Sequence, residues 1–130
     1  MKILQPPSWA RPRGFSNGVA AKGQMIFVSG TVGWDREGKF VSNEFVGQAR
    51  QALNNIVEIL AEAKAKPEHI TRMTWYVIDK KEYLAASKEL GAVYREVIGA
   101  HYPAMTAVEV AGLIEEQAKV EIEVTAVVPD

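Results

Sequence analysis

Apolar residues recur three and four positions apart between Phe45 and Ala63, at Phe45, Ala49, Ala52, Leu53, Ile56, Leu60 and Ala63. That spacing puts them on one face of an amphipathic helix. Ser42 or Asn43 offers a side-chain oxygen to cap its start, and Pro67 lies beyond its end. A second helical pattern runs through Tyr83, Ala86, Leu90, Val93, Tyr94 and Val97. Asp79-Lys80-Lys81-Glu82 opens it in the form of a capping box with Asp79 as the cap, and Gly99 closes it.

Strand patterns occupy the rest of the chain. Two are expected at Ser16–Ala21 and Met25–Ser29, joined at Lys22-Gly23-Gln24, and Lys39-Phe40-Val41 is long enough for a third, short one. Ile70–Ile78 is dense in Thr, Trp, Tyr, Val and Ile, the residues that suit a pleated, half-buried surface. Two more strands are expected near Ala104–Val110 and Ala118–Val128. The last has the clearest faces. Ala118, Val120, Ile122, Val124, Ala126 and Val128 fall on one side, and Lys119, Glu121, Glu123 and Thr125 on the other.

The resulting order is two or three strands, helix, strand, helix, strand, strand. Each helix can link parallel strands in a right-handed crossover, which puts both helices on one face of a mixed sheet. The opposite face is then left uncovered by this chain. Association through that bare face is expected, with sizing in solution as its test. Residues 1–14 carry three prolines and two arginines and read as an extended lead-in to one domain spanning residues 1–130.

The formal net charge of −1 argues against a surface built for phosphate backbones. With no cysteine, the chain has no disulfide, thiolate metal site or cysteine nucleophile. Prolines interrupt the N-terminal segment where a signal peptide needs an apolar run, and no stretch approaches a membrane span, so a cytoplasmic protein is expected. His69 and His101 stand alone, without the spaced partners of a metal site, and read as solvated or locally hydrogen-bonded. Glu115-Glu116 reads as a solvated turn, and Asn54-Asn55 as an exposed part of the first helix. Neither a phosphate-binding glycine loop nor a nucleophile elbow is present.

Several segments together resemble one known family. They are Phe27-Val28-Ser29-Gly30, Gln48-Ala49-Arg50-Gln51-Ala52-Leu53-Asn54-Asn55, the run Tyr102-Pro103-Ala104-Met105-Thr106-Ala107-Val108-Glu109-Val110, and Lys119-Val120-Glu121-Ile122-Glu123-Val124. In order and spacing they are similar to the Rid family of reactive-intermediate deaminases, also called the YjgF family, from about Gly14 to Val128. The resemblance implies an α+β, chorismate-mutase-like fold and a homotrimer with clefts between subunits. It also implies hydrolysis of enamines and imines to a carbonyl compound and ammonia, without a cofactor.

Carried over residue by residue, the resemblance makes Glu121 the glutamate that positions or activates water, and Ser29 and Gly30 the strand end lining the cleft. Phe15 stands where many members have a tyrosine, Ser87 where an asparagine is common, and Ala107 where a cysteine is frequent. Met105 stands where the deaminases carry the arginine that grips the substrate's carboxylate. A thioether cannot make that bidentate contact. Either the substrate is larger, less acidic at that end, or held by a different cation, with Arg11, Arg13 and Arg72 as candidates and Arg13 foremost, or the site is decayed or repurposed and Met105 only packs. Trp34 can wall the pocket, whereas Trp75 reads as core or trimer contact.

Two other functions stay open. One is a non-catalytic small-molecule-binding or regulatory trimer, for which ligand-induced stabilisation without turnover is the discriminating observation. The other is the endoribonuclease or translation-inhibitor activity reported for some members, which requires salt-dependent RNA binding. Glu121 itself has a plain alternative as a solvated strand carboxylate.

Overall fold

The computed structural model describes residues 1–130. The lead-in forms a strand, β1 (Lys2–Leu4), which pairs antiparallel with β2 (Gly18–Ala20), Lys2 opposite Ala20 and Leu4 opposite Gly18. The strand expected at Ser16–Ala21 is therefore shorter, and its partner is the lead-in. Ser16 makes a single parallel bridge to Ala104 instead. β3 spans Gln24–Thr31. The short strand expected at Lys39-Phe40-Val41 does not form. Asp35 accepts the Glu37 and Lys39 backbone N–H groups and folds the segment into a turn, leaving one bridge between Trp34 and Phe40.

Helix α1 (Phe45–Glu62) buries the predicted stripe, with Ala49, Ala52, Leu53, Ile56 and Leu60 all at 0% exposure. Each large member contributes about 1.5–3 kcal/mol relative to leaving it in water. The start of α1 differs from expectation. Glu44 is the N-cap and makes no side-chain cap bond, while Ser42 Oγ accepts from the N–H of Glu44 itself rather than from an N–H of the first turn. The orphan N–H groups of the first turn thus stay outside side-chain capping.

A 3₁₀ turn at Pro67–His69 leads into β4 (Ile70–Val77). The second helical region is two helices, α2 (Lys80–Ala85) and α3 (Ser87–Val97), separated at Ala86. Asp79 caps α2 by accepting from Glu82 N, as the sequence predicts. The Glu82 side chain, the other half of a capping box, pairs with Lys119 Nζ at 3.3 Å instead. Gly99 follows α3 at φ +96°, the left-handed conformation that ends helices. The chain finishes with β5 (Ala104–Glu109) and β6 (Val120–Val128).

The main sheet has the order β3-β6-β4-β5. β6 is antiparallel to both β3 and β4, and β4 is parallel to β5. The domain is a mixed α+β fold. Val28, Met73, Trp75, Val77, Val120, Ile122 and Val124 join α1 and α3 in one core. The other sheet face carries Phe27 at 72% exposure, with Glu123, Arg72 and Val108 also exposed. That is the bare face expected from the strand patterns. No helix is long and apolar enough to cross a membrane.

Gln48 ties the layers together. It is fully buried, yet its amide donates to Ser42 O at 3.0 Å and Gln117 O at 2.9 Å and accepts from Lys119 N at 2.7 Å. One side chain on α1 therefore fixes both its own N-terminal loop and the start of β6. Gly33 lies against the same turn, where a Cβ would fall 2.6 Å from Gln48 O. Asn55, expected on an exposed surface, is half-buried and donates to Val32 O and Trp34 O. It holds the loop that follows β3.

Candidate functional site

A cleft of about 490 Å³ opens between edge strand β5 and helices α2 and α3. Its helical wall follows from spacing. Ser87, Leu90, Gly91, Tyr94 and Arg95 sit at i, i+3, i+4, i+7 and i+8, one stripe of α3. The break at Ala86 starts α3 at Ser87 and leaves Tyr83, from α2, over the inner end. Tyr83 meets Phe45 and Trp75 edge-on, with centroids 6.2 and 6.4 Å away. Burial raises its hydroxyl pKa.

Strand register supplies the floor. Met73 pairs with Met105 and Trp75 with Ala107 across β4 and β5, so Met105 and Ala107 share the helix-facing side with the Trp75 indole. The small Ala107 leaves room beside that ring. Trp75 is 4% exposed, and its Nε1–H is buried without an acceptor. An unmatched buried N–H costs about 1–3 kcal/mol.

The third wall comes from the lead-in. Ser16 N donates to Pro103 O at 2.9 Å, and Ser16 Oγ donates to Tyr102 O at 2.5 Å. These bonds pin Arg13, Gly14 and Phe15 against the end of β5, with Gly14 at φ +77° making the turn. Tyr94 stacks on Tyr102 at 5.5 Å, and its hydroxyl donates to His101 O at 2.5 Å. Burial first, and then the neighbouring Tyr102, push the Tyr94 pKa well above the usual phenol range. His101 Nε2 is 2.7 Å from Ile70 O and His69 Nδ1 accepts from Lys66 N, so both histidines have the local bonds expected of them.

The remaining expected site residues lie elsewhere. β3 bulges where Val28 pairs with Val124 but Thr31 with Ile122, and Ser29 and Gly30 occupy the bulge. Glu121 crosses directly over Gly30. A Cβ placed there would lie 2.8 Å from the carboxylate carbon, so only glycine admits this approach. Glu121 is half-buried and belongs to none of the four ion pairs. Trp34 borders the Ser29-Gly30 groove and contacts Phe40, with centroids 6.0 Å apart.

One chain thus holds the expected residues in separate places. Arg13, Phe15, Ser87, Met105 and Ala107 meet in the cleft; Glu121 meets Gly30 at the β3 bulge, while Trp34 shares a separate groove with Ser29, Gly30 and the α1 residues Asn55, Glu58 and Ile59. Glu121 pairs with Tyr76, whose side chain is turned away from the helices that Met105 faces. Glu121 and the cleft therefore lie on opposite sides of the sheet. Arg72 also lies outside the cleft, in a groove with Glu123 and Thr125, and Arg11 does not line it. Sequence reasoning missed Tyr83, Tyr94, Tyr102 and Arg95 as cleft residues, and reads Trp75 as core or trimer contact rather than as part of the cleft wall. The α3 stripe was legible as helical periodicity, but its cleft-facing role depends on the break at Ala86.

The endoribonuclease L-PSP family model fits residues 9–128. A RutC family protein of Aquifex aeolicus is 35% identical, with 98% of this chain and 99% of that protein aligned. A 2-iminobutanoate/2-iminopropanoate deaminase of Salmonella typhimurium is 33% identical over 81% of this chain and 80% of its own length. Among solved structures, a Rid family protein of unknown function from Yersinia pestis superposes with a TM-score of 0.84 at 28% identity, covering 98% of both chains. The chain belongs to the Rid/RutC family, the group that the endoribonuclease L-PSP model describes.

Proposed function

We propose that this chain is the subunit of a homotrimeric, cofactor-independent enamine/imine deaminase whose sites form between neighbouring subunits. The observation that carries the reading is the separation of the half-sites. Glu121 lies over Gly30 on the open sheet face, and the substrate-sized cleft lies on the helix side. A cyclic assembly, in which the open face of one subunit meets the cleft edge of the next, joins them without any change of fold. The exposed Phe27 and Val108 give that face apolar surface to bury.

The chemistry suits such a site. An enamine first tautomerises to an imine, and a water then adds its oxygen to the imine carbon. The Glu121 carboxylate takes the proton that this water sheds and passes it to nitrogen. The carbinolamine hydroxyl then gives its proton, by way of the same carboxylate, to the amine nitrogen; the C–N bond breaks, ammonia leaves, and the C=O of a keto acid forms. Imines are already electrophilic, so positioning and one general base suffice. The deaminase named among the relatives supports this reaction class. Met105 in the cleft floor supports a substrate other than the small imino acids of that relative.

The test is ammonia and keto-acid release from imines generated in situ, above the spontaneous rate, together with sizing of the protein. A trimer whose turnover falls about 10²–10⁴-fold in Glu121→Ala is expected, the range for loss of a general base. A monomer, or turnover that Glu121→Ala leaves unchanged, overturns the reading.

A further inference from the structure

The cleft differs from an all-purpose pocket in two respects. Five of its thirteen lining residues are aromatic, and its charged lining residues are both arginines, Arg13 and Arg95. Neither arginine belongs to any of the four ion pairs in the chain. The next residue, Glu96, is taken by Arg50, so the nearest carboxylate along α3 is already engaged.

Arg95 has a built path into the cleft. Side chains on a helix lean toward its N-terminus and cover the preceding turn. Four residues before Arg95 on that turn is Gly91, which has no side chain to block it. A Cβ added to Gly91 would sit 3.5 Å from Arg95 Nη1, in van der Waals contact, so the guanidinium lies across the bare surface of Gly91. Arg13 stands on the lead-in segment that the Ser16 bonds hold over the same opening.

We propose that Arg95, assisted by Arg13, is the carboxylate-binding group of this cleft. The substrate it selects is a 2-imino acid with an aromatic or comparably bulky planar side chain. The assignment rests on the deaminase reading and names the substrate class of that site. In a 2-imino acid the reacting carbon is bonded to the carboxylate carbon. Holding the carboxylate at the exposed Arg95 therefore keeps the C=N group at the mouth, where Glu121 of the next subunit arrives. The side chain then extends inward over Met105 toward Tyr83 and Trp75. Ring faces and a polarisable thioether suit an aromatic guest. A polar atom on that guest, or a water carried with it, gives Trp75 Nε1–H the acceptor that the chain does not supply. A three-carbon imino acid leaves most of the 490 Å³ unfilled.

The test compares imines generated by an amino-acid oxidase from phenylalanine and from alanine, using the wild-type protein, Arg95→Gln and Arg95→Lys. Thermal shifts with phenylpyruvate and pyruvate are measured in parallel. The phenylalanine-derived imine is expected to show a kcat/KM at least about tenfold above that of the alanine-derived one. Arg95→Gln should lower it at least about tenfold, mainly through KM, and Arg95→Lys should recover part of the loss. Phenylpyruvate, but not pyruvate, should stabilise the wild type, and this effect should vanish in Arg95→Gln. Equal rates on both imines, or no effect of Arg95→Gln, overturn this assignment and leave the deaminase standing. Phenylpyruvate binding that needs Arg95, without turnover of any imine, overturns the deaminase and upholds the ligand class.

Discussion

Gln48→Met keeps the length and volume of a fully buried side chain but removes both of its polar ends. Wild-type Gln48 makes three hydrogen bonds, to Ser42 O, Gln117 O and Lys119 N, at 3.0, 2.9 and 2.7 Å. The substitution leaves all three backbone groups without this partner. A net bond is worth about 1 kcal/mol, and a stranded buried group costs about 1–3 kcal/mol. The more favourable burial of a thioether side chain returns about 1.5 kcal/mol. The balance is a loss of about 3 kcal/mol, equivalent to a fall of about 10 °C in Tm for a domain of this length. Denaturant and thermal unfolding of both proteins at one fixed subunit concentration measure it, because association also shifts the midpoint. A loss below about 0.5 kcal/mol would refute the argument that Gln48 fastens α1 to the start of β6. Activity should fall too, since Lys119 lies two residues before Glu121.

Two further predictions concern the half-sites. Gly30→Ala should displace the Glu121 carboxylate and lower kcat by about tenfold or more with little change in KM, as steady-state kinetics will report; the fold itself should persist, because the bulge is at a strand end. The raised pKa of buried Tyr94 predicts alkaline destabilisation. The unfolded chain ionises this phenol near pH 10, while the folded protein holds its proton to higher pH. The folded state thus binds more protons, and the contribution of Tyr94 to stability is intact below about pH 10 and is lost as pH rises toward the folded value. Unfolding curves between pH 8 and 11, read as the difference between wild type and Tyr94→Phe, should show that difference shrinking above about pH 10.

The sequence carried the core further than it carried the site. Apolar spacing placed α1, β4 and the inner face of β6 because periodicity reflects burial directly, and Asp79 and Gly99 marked helix ends by their local chemistry. The Ser42 and Asn43 cap failed because the Ser42 hydroxyl accepts from the N–H of Glu44, the N-cap residue itself, and so reaches no N–H of the first turn. The lead-in strand was hidden by prolines, and its pairing with β2 is a long-range contact that leaves no local period. For the site, the resemblance supplied the residues, but that Met105 and Glu121 lie on opposite faces of the sheet is seen only once register is known. Arg95 was overlooked because its use depends on the missing side chain at Gly91, four residues away. Trp75 reads as core or trimer contact from its place on a central strand, and its unmatched N–H is visible only in three dimensions.

The claim that neighbouring subunits share each site is tested most directly by mixing two inactive variants. Glu121→Ala removes the base and keeps the cleft, whereas Gly91→Trp fills the cleft and keeps Glu121. Co-expressed in equal amounts, the two chains should regain about a quarter of wild-type imine hydrolysis, since half of the clefts and half of the opposing carboxylates are intact in a randomly mixed ring. No recovery in mixed trimers confirmed by mass would contradict the shared site and return Glu121 to the status of a solvated strand carboxylate.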